Sequence, residues 1–377
     1  MDLKEIRGKL DEIDASILEL FLQRMALADQ VAAHKKKFNL PVLDKGRERS
    51  ILWEMSHRAG EHGDAAYALF TRLLDLSRAR QNALLAQPSP VLERIARATA
   101  EPAESFPGKA TVACQGVEGS NAQAACDKLF RQPGIFYVSN FATVFDVVAS
   151  GLCQFGVVPI ENSYNGSVRE VYRLLQEKGC AIVRSTTQPI RHCLLGKPGA
   201  KLSDIRNVYS HPQALGQCSR YLSELSVRSV PWENTATAAK VVGARGDLED
   251  AAIASPICAE LYGLEVLAED IQDSEHNYTR FLCIAKEPKI YVGARRISLM
   301  FRCPDSPGAL SDILNLLAAQ GVNMRKLESS PLPKKEEEFQ FFLELDADLR
   351  DPGIPELLAE LERRCPQFTL LGCYSEV

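Results

Sequence analysis

Asn277-Tyr278-Thr279-Arg280-Phe281 runs directly into Leu282-Cys283-Ile284-Ala285. The apolar run predicts a buried β-strand with polar residues at its mouth. A hydroxyl, a guanidinium and an aromatic ring are therefore expected together where the strand begins. That trio suits a small, anionic, ring-shaped substrate. Arginine pairs with a carboxylate, threonine donates a proton, and phenylalanine packs on the ring. The same three residue types also open ordinary strands, so the stretch gains meaning only from its surroundings.

Working outward, residues 109 to about 286 alternate short β-branched runs with helical stretches, an α/β pattern. The other expected strands are Ala110-Cys114, Ile135-Val138, Phe155-Ile160, Ala181-Arg184, Val208-Ser210 and Ala251-Ala254. Two similar halves predict two lobes with a cleft between them. Gly156-Val157-Val158-Pro159-Ile160-Glu161-Asn162-Ser163 runs off a strand end, where α/β ligands bind, and Ser167 is placed to cap the next helix. Tyr209-Ser210-His211-Pro212-Gln213 is a second strand-to-helix joint, with His211 read as a helix cap rather than as an acid. Asn234-Thr235-Ala236 reads as a helix start.

Downstream, Arg296-Arg302 predicts a strand leading through Pro304-Asp305-Ser306-Pro307-Gly308 to a helix from Ala309 to Gln320. Strands at Val322-Glu328 and Phe339-Leu345, a helix at Ile354-Arg364 and a strand at Phe368-Cys373 complete a βαββαβ, ferredoxin-like unit over 294–377.

Upstream, residues 1–87 predict an all-helical domain. Leu3, Ile6, Leu10, Ile13, Ile17 and Leu20 repeat at steps of three and four, one apolar seam on a first helix of about 35 residues. Asn39-Leu40-Pro41 breaks it, Asp44 opens a second helix, Gly60 to Gly63 ends that, and Asp64 caps a third running to Gln87-Pro88. Three unequal helices bury their seams poorly alone, so a homodimer or higher homo-oligomer is expected. A proline-rich linker, 88–108, holds one short amphipathic helix, Val91 to Ala100.

The seam carries an oddity. Its next position after Leu20 is Arg24, an interior phase for a charge. Lys35 projects from nearly the same face about three turns on. Arg7 lies seventeen residues from Arg24, roughly 25 Å along the axis and on another face, so it joins that site only from a second chain. Asp44, Arg47 and Glu48 form one stripe of the second helix, Ser77 and Gln81 one of the third.

Bulk properties narrow the classes. At 377 residues with formal net charge −5, the chain is a multidomain globular protein without the basic surface that nucleic acid requires. No apolar run reaches a membrane span. Met1-Asp2-Leu3-Lys4-Glu5 lacks the core of a secretory signal. The eleven dispersed cysteines read as reduced thiols. A cytoplasmic location without membrane or nucleic-acid partners is expected. The histidines show no metal-ligand spacing, and neither metal nor cofactor is expected.

The series Arg7, Arg24, Lys35, Asp44, Arg47, Glu48, Ser77 and Gln81 resembles the pocket of the all-helical chorismate mutase family, in order and spacing. The resemblance implies a dimer whose pocket takes Arg7 from the partner chain. Arg7, Arg24 and Arg47 would hold the carboxylates of chorismate, assisted by Ser77. Glu48 and Asp44 would meet the ring hydroxyl, and Lys35 and Gln81 the ether oxygen. A pericyclic rearrangement needs no nucleophile, only a compact conformer and stabilised charge on the breaking bond.

Residues 109–288 resemble the prephenate dehydratase domain, with Thr279-Arg280-Phe281 as its most diagnostic match. The resemblance implies that Thr279 assists departure of the hydroxyl, that Arg280 binds a carboxylate, and that Asn162, Ser163 and Phe281 line the cleft. The family's first loop is kept as Gly116-Val117-Glu118-Gly119, but Ser120-Asn121-Ala122 replaces the Thr or Ala, the aromatic and the Ser that follow in the family. Pro307-Gly308-Ala309-Leu310 resembles the amino-acid-binding ACT domain, implying phenylalanine as effector at Gly308, Ala309 and Leu310. In the second ACT motif, Glu328-Ser329-Ser330-Pro331, Ser330 stands where arginine is usual.

The whole order resembles the bifunctional chorismate mutase/prephenate dehydratase, implying two consecutive steps from chorismate through prephenate to phenylpyruvate with phenylalanine feedback. Two other readings stay open. An amino-acid sensor could use the cleft and the ACT unit, against which stand Thr279 and the eight mutase positions. A mutase fused to an inactive dehydratase is the second, given the altered 120–122 loop.

Overall fold

A computed structural model describes residues 2–38, 40–85, 89–274, 276–303, 307–332 and 335–377. It divides into two compact units, Met1–Ser89 and Pro90–Val377.

The first unit is helical: α1 spans Leu3–Phe38, α2 Lys45–Arg58 and α3 Gly63–Leu85. Asp44 caps α2, its carboxylate accepting from the Arg47 N–H at 3.0 Å. Asp64 does not cap α3. The 3-10 turn Gly60–His62 runs straight into the helix and Gly63 is already helical, so no extended cap position exists. Leu40 and Pro41 belong to no helix, whereas Asn39 and Gln87-Pro88 lie outside the described residues. The second half of α1 packs on α3, burying Ala28, Ala32 and Leu74. Its first half stays uncovered: Leu3, Leu10, Ile13, Ile17 and Leu20 are each more than half exposed.

The second unit opens with α4 (Pro90–Thr99). Its first lobe contains β1 (Lys109–Gln115), α5 (Asn121–Leu129), β2 (Gln132–Val138), α6 (Phe141–Ala149), β3 (Phe155–Asn162), β4 (Gly166–Ser167), α7 (Arg169–Lys178) and β5 (Ala181–Pro189). The second lobe contains β6 (Cys193–Gly196), β7 (Asn207–Ser210), α8 (Pro212–Gln217), α9 (Ser219–Leu225), β8 (Arg228–Pro231), α10 (Thr235–Arg245), β9 (Asp250–Ala254), α11 (Ile257–Tyr262) and β10 (Glu265–Ala268). The chain returns to the first lobe as β11 (Tyr278–Ala285). It then forms β12 (Arg296–Arg302), α12 (Ala309–Ala319), β13 (Asn323–Leu332), β14 (Lys335–Asp346), α13 (Ile354–Arg364) and β15 (Gln367–Glu376). Strands β4, β6, β8 and β10 are two to four residues long, too short for a periodic signal in the sequence.

The second lobe is a five-stranded sheet ordered β10-β6-β9-β7-β8. The first lobe shares one continuous sheet with the C-terminal βαββαβ unit, ordered β13-β14-β12-β15-β5-β11-β3-β1-β2 with β4 on β3. The join is β15 against β5, where Ser375 pairs with Arg184 and Glu376 with Ser185. Side chains also cross it: Phe342 and Leu371 share a core with Leu174, Leu175 and Ile182. The proline-rich stretch is partly anchored, because Val91 and Ile95 of α4 are buried in a core with Leu299 and Leu358. Pro304-Asp305-Ser306 lies outside the described residues.

Candidate active sites

The helical unit encloses a cavity of about 250 Å³. Arg24, Lys35, Asp44, Arg47, Glu48, Ser77 and Gln81 all border it, drawn together from α1, α2 and α3. Arg24 is half-buried. It donates to the Leu73 carbonyl at 2.7 Å and to the Ser77 hydroxyl, and burial lowers its pKa from the ordinary arginine value. Lys35 Nζ donates to the Val42 carbonyl at 2.5 Å. Asp44 and Arg47 stand exposed at the rim, whereas Ser77 and Gln81 are buried. The Gln81 Oε1 has no hydrogen-bond partner among the described residues. Arg78 is a wall residue that the sequence reading missed. It pairs with both Glu48 and Asp75 and so fixes the Glu48 carboxylate. Its signal was available as Asp75-x-x-Arg78, one turn of helix beside Ser77. Arg7 does not border this cavity and is exposed.

Between the lobes of the second unit lies a cavity of about 900 Å³. Thr279 and Phe281 border it, as do Asn162, His192, His211 and Gln217. The hydrogen-bond sense around Thr279 can be read from the backbone outward. Asn162 Oδ1 accepts from the Tyr164 and Asn165 N–H groups at 3.1 and 3.0 Å, so its amide nitrogen must donate. It donates to Thr279 Oγ1 at 2.9 Å, to the Tyr278 carbonyl at 3.1 Å and to Asn277 Oδ1 at 3.2 Å, two N–H groups shared among three acceptors. Thr279 is therefore an acceptor from Asn162, and its own proton is left for the cleft.

The same chain continues. Asn277 donates to Gln217 Oε1 at 3.0 Å, and His192 Nε2 lies 2.8 Å from that oxygen. An amide oxygen only accepts, so His192 carries its proton on Nε2. Burial lowers the His192 pKa and keeps the ring neutral, although the Gln217 bond opposes the shift. Gln217 is 3% exposed, and its Nε2 has no partner among the described residues. This donor on the cavity wall was not singled out in the sequence. It lies six residues beyond His211 at the end of α8, a position without periodic signal.

Helix starts converge on the cleft. The first residues of α5, α6 and α10, and Val168 ahead of α7, border the cavity. Ser120, Asn140 and Asn234 cap three of these helices by accepting the Gln123, Thr143 and Thr237 N–H groups. His211 caps α8 through Nδ1, which accepts from the Gln213 N–H at 3.2 Å. Helix N-termini present unpaired N–H groups and partial positive charge. Among the described residues, no Lys or Arg borders the cavity.

The replaced loop keeps its structural half. Gly119 has φ +87, and a Cβ there would lie 2.7 Å from the Cys258 sulfur, so only glycine lets this loop seat on α11 of the opposite lobe. Tyr262 reinforces the seat, donating to the Glu118 carbonyl at 2.6 Å. Tyr137 and Phe141 present rings to the cavity.

Two expected cleft residues are not on its wall. Ser163 Oγ donates to the His276 carbonyl at 2.8 Å and accepts from the Tyr278 N–H, which ties β3 to the approach of β11. Arg280 is turned away from the cleft. The strand begins at Tyr278, so residues 279 to 281 already alternate between faces. Thr279 and Phe281 face the cavity, while the Arg280 guanidinium pairs with Glu344 at 2.8 Å on the other side. The trio is split by the pleat and not presented together.

In the C-terminal unit, Gly308 adopts φ +87 as the N-cap of α12 without a side-chain cap, and Ala309 and Leu310 begin the helix. Glu328 accepts from Ser167 at 2.5 Å, and Lys326 Nζ reaches Glu161 at 2.8 Å. Both contacts touch the strand pair that carries Asn162. Ser330 borders a pocket of about 40 Å³ with Arg169 and Gln340.

Family models match three segments: chorismate mutase type II over residues 6–82, prephenate dehydratase over 112–289 and the ACT domain over 297–364. A bifunctional chorismate mutase/prephenate dehydratase of Aquifex aeolicus is 31% identical, covering 99% of this chain and 98% of its own. The chain belongs to this family. An arogenate dehydratase/prephenate dehydratase of Arabidopsis thaliana is 35% identical over 71% of this chain and 72% of its own. The solved prephenate dehydratase of Arthrobacter aurescens, in complex with L-Phe, is 31% identical with TM-score 0.63, covering 70% of this chain and 90% of that one. A structure described as a quorum quenching acylase is 34% identical with TM-score 0.65, covering 71% and 98%. The three matched segments fall within the helical unit, the two-lobed α/β region and the βαββαβ unit.

Proposed function

We propose that the helical cavity rearranges chorismate to prephenate and that the inter-lobe cleft converts prephenate to phenylpyruvate, as in the bifunctional family to which the chain belongs. The observation that carries this reading is the pair of cavities. Arg24, Lys35, Glu48, Ser77 and Gln81 surround one. In the other, Asn162 leaves the Thr279 proton free.

In the mutase pocket, Arg24 and Arg47 hold the chorismate carboxylates, with Ser77 assisting Arg24. Glu48, held by Arg78, and Asp44 accept from the ring hydroxyl. Lys35 and the Gln81 amide stabilise charge on the ether oxygen as its bond to carbon breaks. Arg7 of a partner chain completes the pocket. The uncovered α1 seam supports this, since each large apolar side chain gains roughly 1.5–3 kcal/mol on full burial. An oligomer with long helices side by side supplies the cover. Mixing Arg7→Ala and Arg24→Ala subunits, each inactive, is expected to restore part of the mutase activity under exchange, because one hybrid pocket keeps both arginines. Proven exchange without recovery would contradict the shared pocket.

In the dehydratase cleft, the ring–carboxylate bond breaks to release CO₂, its electron pair enters the ring as the C–O bond breaks, the hydroxyl leaves as water with the proton of Thr279, and solvent returns a proton to Thr279. Aromatisation drives the step, so a neutral acid suffices. With Arg280 facing elsewhere, the carboxylates meet main-chain N–H groups at the starts of α5 and α10, one from each lobe, and Gln217 Nε2, which has no partner among the described residues. Phe281 packs on the ring. His211, engaged as a cap, stays a structural residue.

Phenylalanine is the effector of the βαββαβ unit, approaching the backbone at Gly308, Ala309 and Leu310. Ser330 lacks the long cation usual in this motif. Losing a charged hydrogen bond is worth roughly 1.5–3 kcal/mol, about one to two decades in affinity. Inhibition by phenylalanine is expected to tighten in Ser330→Arg, read from titrations of dehydratase activity. An unchanged midpoint would remove position 330 from the switch. The eleven cysteines carry no disulfide and all but Cys303 are buried, which supports a reducing, cytoplasmic setting.

A further inference from the structure

Arg280 adjoins the proposed acid, yet its guanidinium is spent on the regulatory sheet. It donates to Glu344 at 2.8 Å and to the Tyr374 hydroxyl at 3.1 Å. That hydroxyl lies 2.7 Å from Ser298 Oγ and 3.3 Å from the second Glu344 oxygen. Arg280 is 8% exposed, Glu344 1%, and Tyr374 and Ser298 0%. Glu376 approaches the Arg280 Nε at 3.7 Å, itself held by Arg296 at 2.6 Å. Burial works against the charge on Arg280, but Tyr374 and Glu344 outweigh it and hold the group protonated.

Taking such charges out of water is expensive, so a buried pair is weak evidence for stability and better evidence for fixed geometry. The geometry fixed here joins three strands. β11 brings Arg280, β14 brings Glu344, and β15 brings Tyr374 and Glu376. Backbone contact leaves little slack between them. A Cβ on Gly372 of β15 would lie 2.0 Å from the Ile182 carbonyl oxygen of β5. β5 in turn pairs directly with β11, Thr279 opposite Gln188 and Arg280 opposite Thr187. Thr279 and Arg280 occupy opposite faces of one strand, so clamping the second fixes the rotation of the first.

We propose that Glu344 and Tyr374, residues of the regulatory sheet, are positioning residues for dehydration: acting through Arg280, they set how Thr279 is presented to the cleft. The inference rests on Thr279 as the acid. It also gives an effector bound in the regulatory unit a direct route to the chemistry, since any shift of β14 relative to β11 is felt at Thr279.

The test uses the full-length chain with Glu344→Gln, which keeps shape and removes charge, and Tyr374→Phe, which removes one hydroxyl. Prephenate kcat and KM are measured, with mutase activity and thermal unfolding on the same samples. Glu344→Gln is expected to lower dehydratase kcat about tenfold with KM within about twofold, the pattern of misplacement rather than lost binding. Tyr374→Phe follows with a loss of about threefold, Glu344→Asp recovers part of the activity, and mutase activity stays at the parent level. If Glu344→Gln shows no cooperative unfolding, Tyr374→Phe is judged by the same split. Parent kcat in both variants overturns the proposal, as does a raised KM at constant kcat, the signature of a substrate-binding Arg280. Thr279→Ala run alongside separates the two failures. If it is as active as the parent, the premise falls. If it is inactive while the other two variants are unaffected, the positioning role alone falls.

Discussion

Thr279→Ala is expected to accumulate prephenate from chorismate and to form almost no phenylpyruvate. Thr279 is a cleft hydroxyl that accepts from Asn162 at 2.9 Å and donates to no partner among the described residues. Removing a donor that acts only in the transition state is worth about 3–4 kcal/mol, roughly two to three decades of kcat. KM should move little, since the carboxylate contacts proposed above lie with the helix starts and Gln217. Thr279→Ser, which keeps the hydroxyl, should retain most of the activity. Parent-rate phenylpyruvate formation by the alanine variant would transfer the acid role to another group.

The mirror result is expected for Arg24→Ala. The guanidinium is half-buried between α1 and α3, bonded to Leu73 and Ser77 at the wall of the mutase cavity. Taking away one partner of a desolvated charge pair typically costs roughly 3–5 kcal/mol, and the chorismate carboxylate would lose that much in the rearrangement. Mutase kcat/KM should fall by about two to four decades. Dehydration of added prephenate should be unaffected, because the cleft belongs to a separate compact unit. Measuring both reactions on one preparation decides the matter. Sustained chorismate turnover would show that Arg24 is a structural residue.

How much of this was legible in the sequence depended on which physical signal carried it. The helical unit was readable because its period is long and unbroken, and because a charge at the interior phase, Arg24, has few bland explanations. The βαββαβ order was readable from alternating patterns of ordinary length. Strands β6, β8 and β10 were not: four residues display little period, and β7, equally short, was readable from the strand-to-helix joint that follows it.

The site failed to read where contact depended on side-chain direction. The sequence predicts one presented cluster over Asn277 to Phe281, but the strand starts at Tyr278, and the pleat sends Arg280 to the opposite face. Ser163 follows Asn162 in sequence, yet it bonds the 276–278 backbone while Asn162 turns to Thr279. Gln217 and Arg78 stayed hidden because each is defined by partners distant in sequence. Gln217 meets Asn277 and His192, and Arg78 meets Glu48. In sequence the altered 120–122 loop leaves an inactive dehydratase open. Its glycine seat on α11 and the Ser120 cap survive the change.

The most direct test of the central claim is to incubate the purified chain with chorismate and follow prephenate and phenylpyruvate over time. The account predicts that chorismate disappears, prephenate rises and falls, and phenylpyruvate accumulates, with added phenylalanine slowing the last step. Prephenate that accumulates without conversion would leave a mutase joined to an inactive dehydratase, and unchanged chorismate would contradict the account altogether.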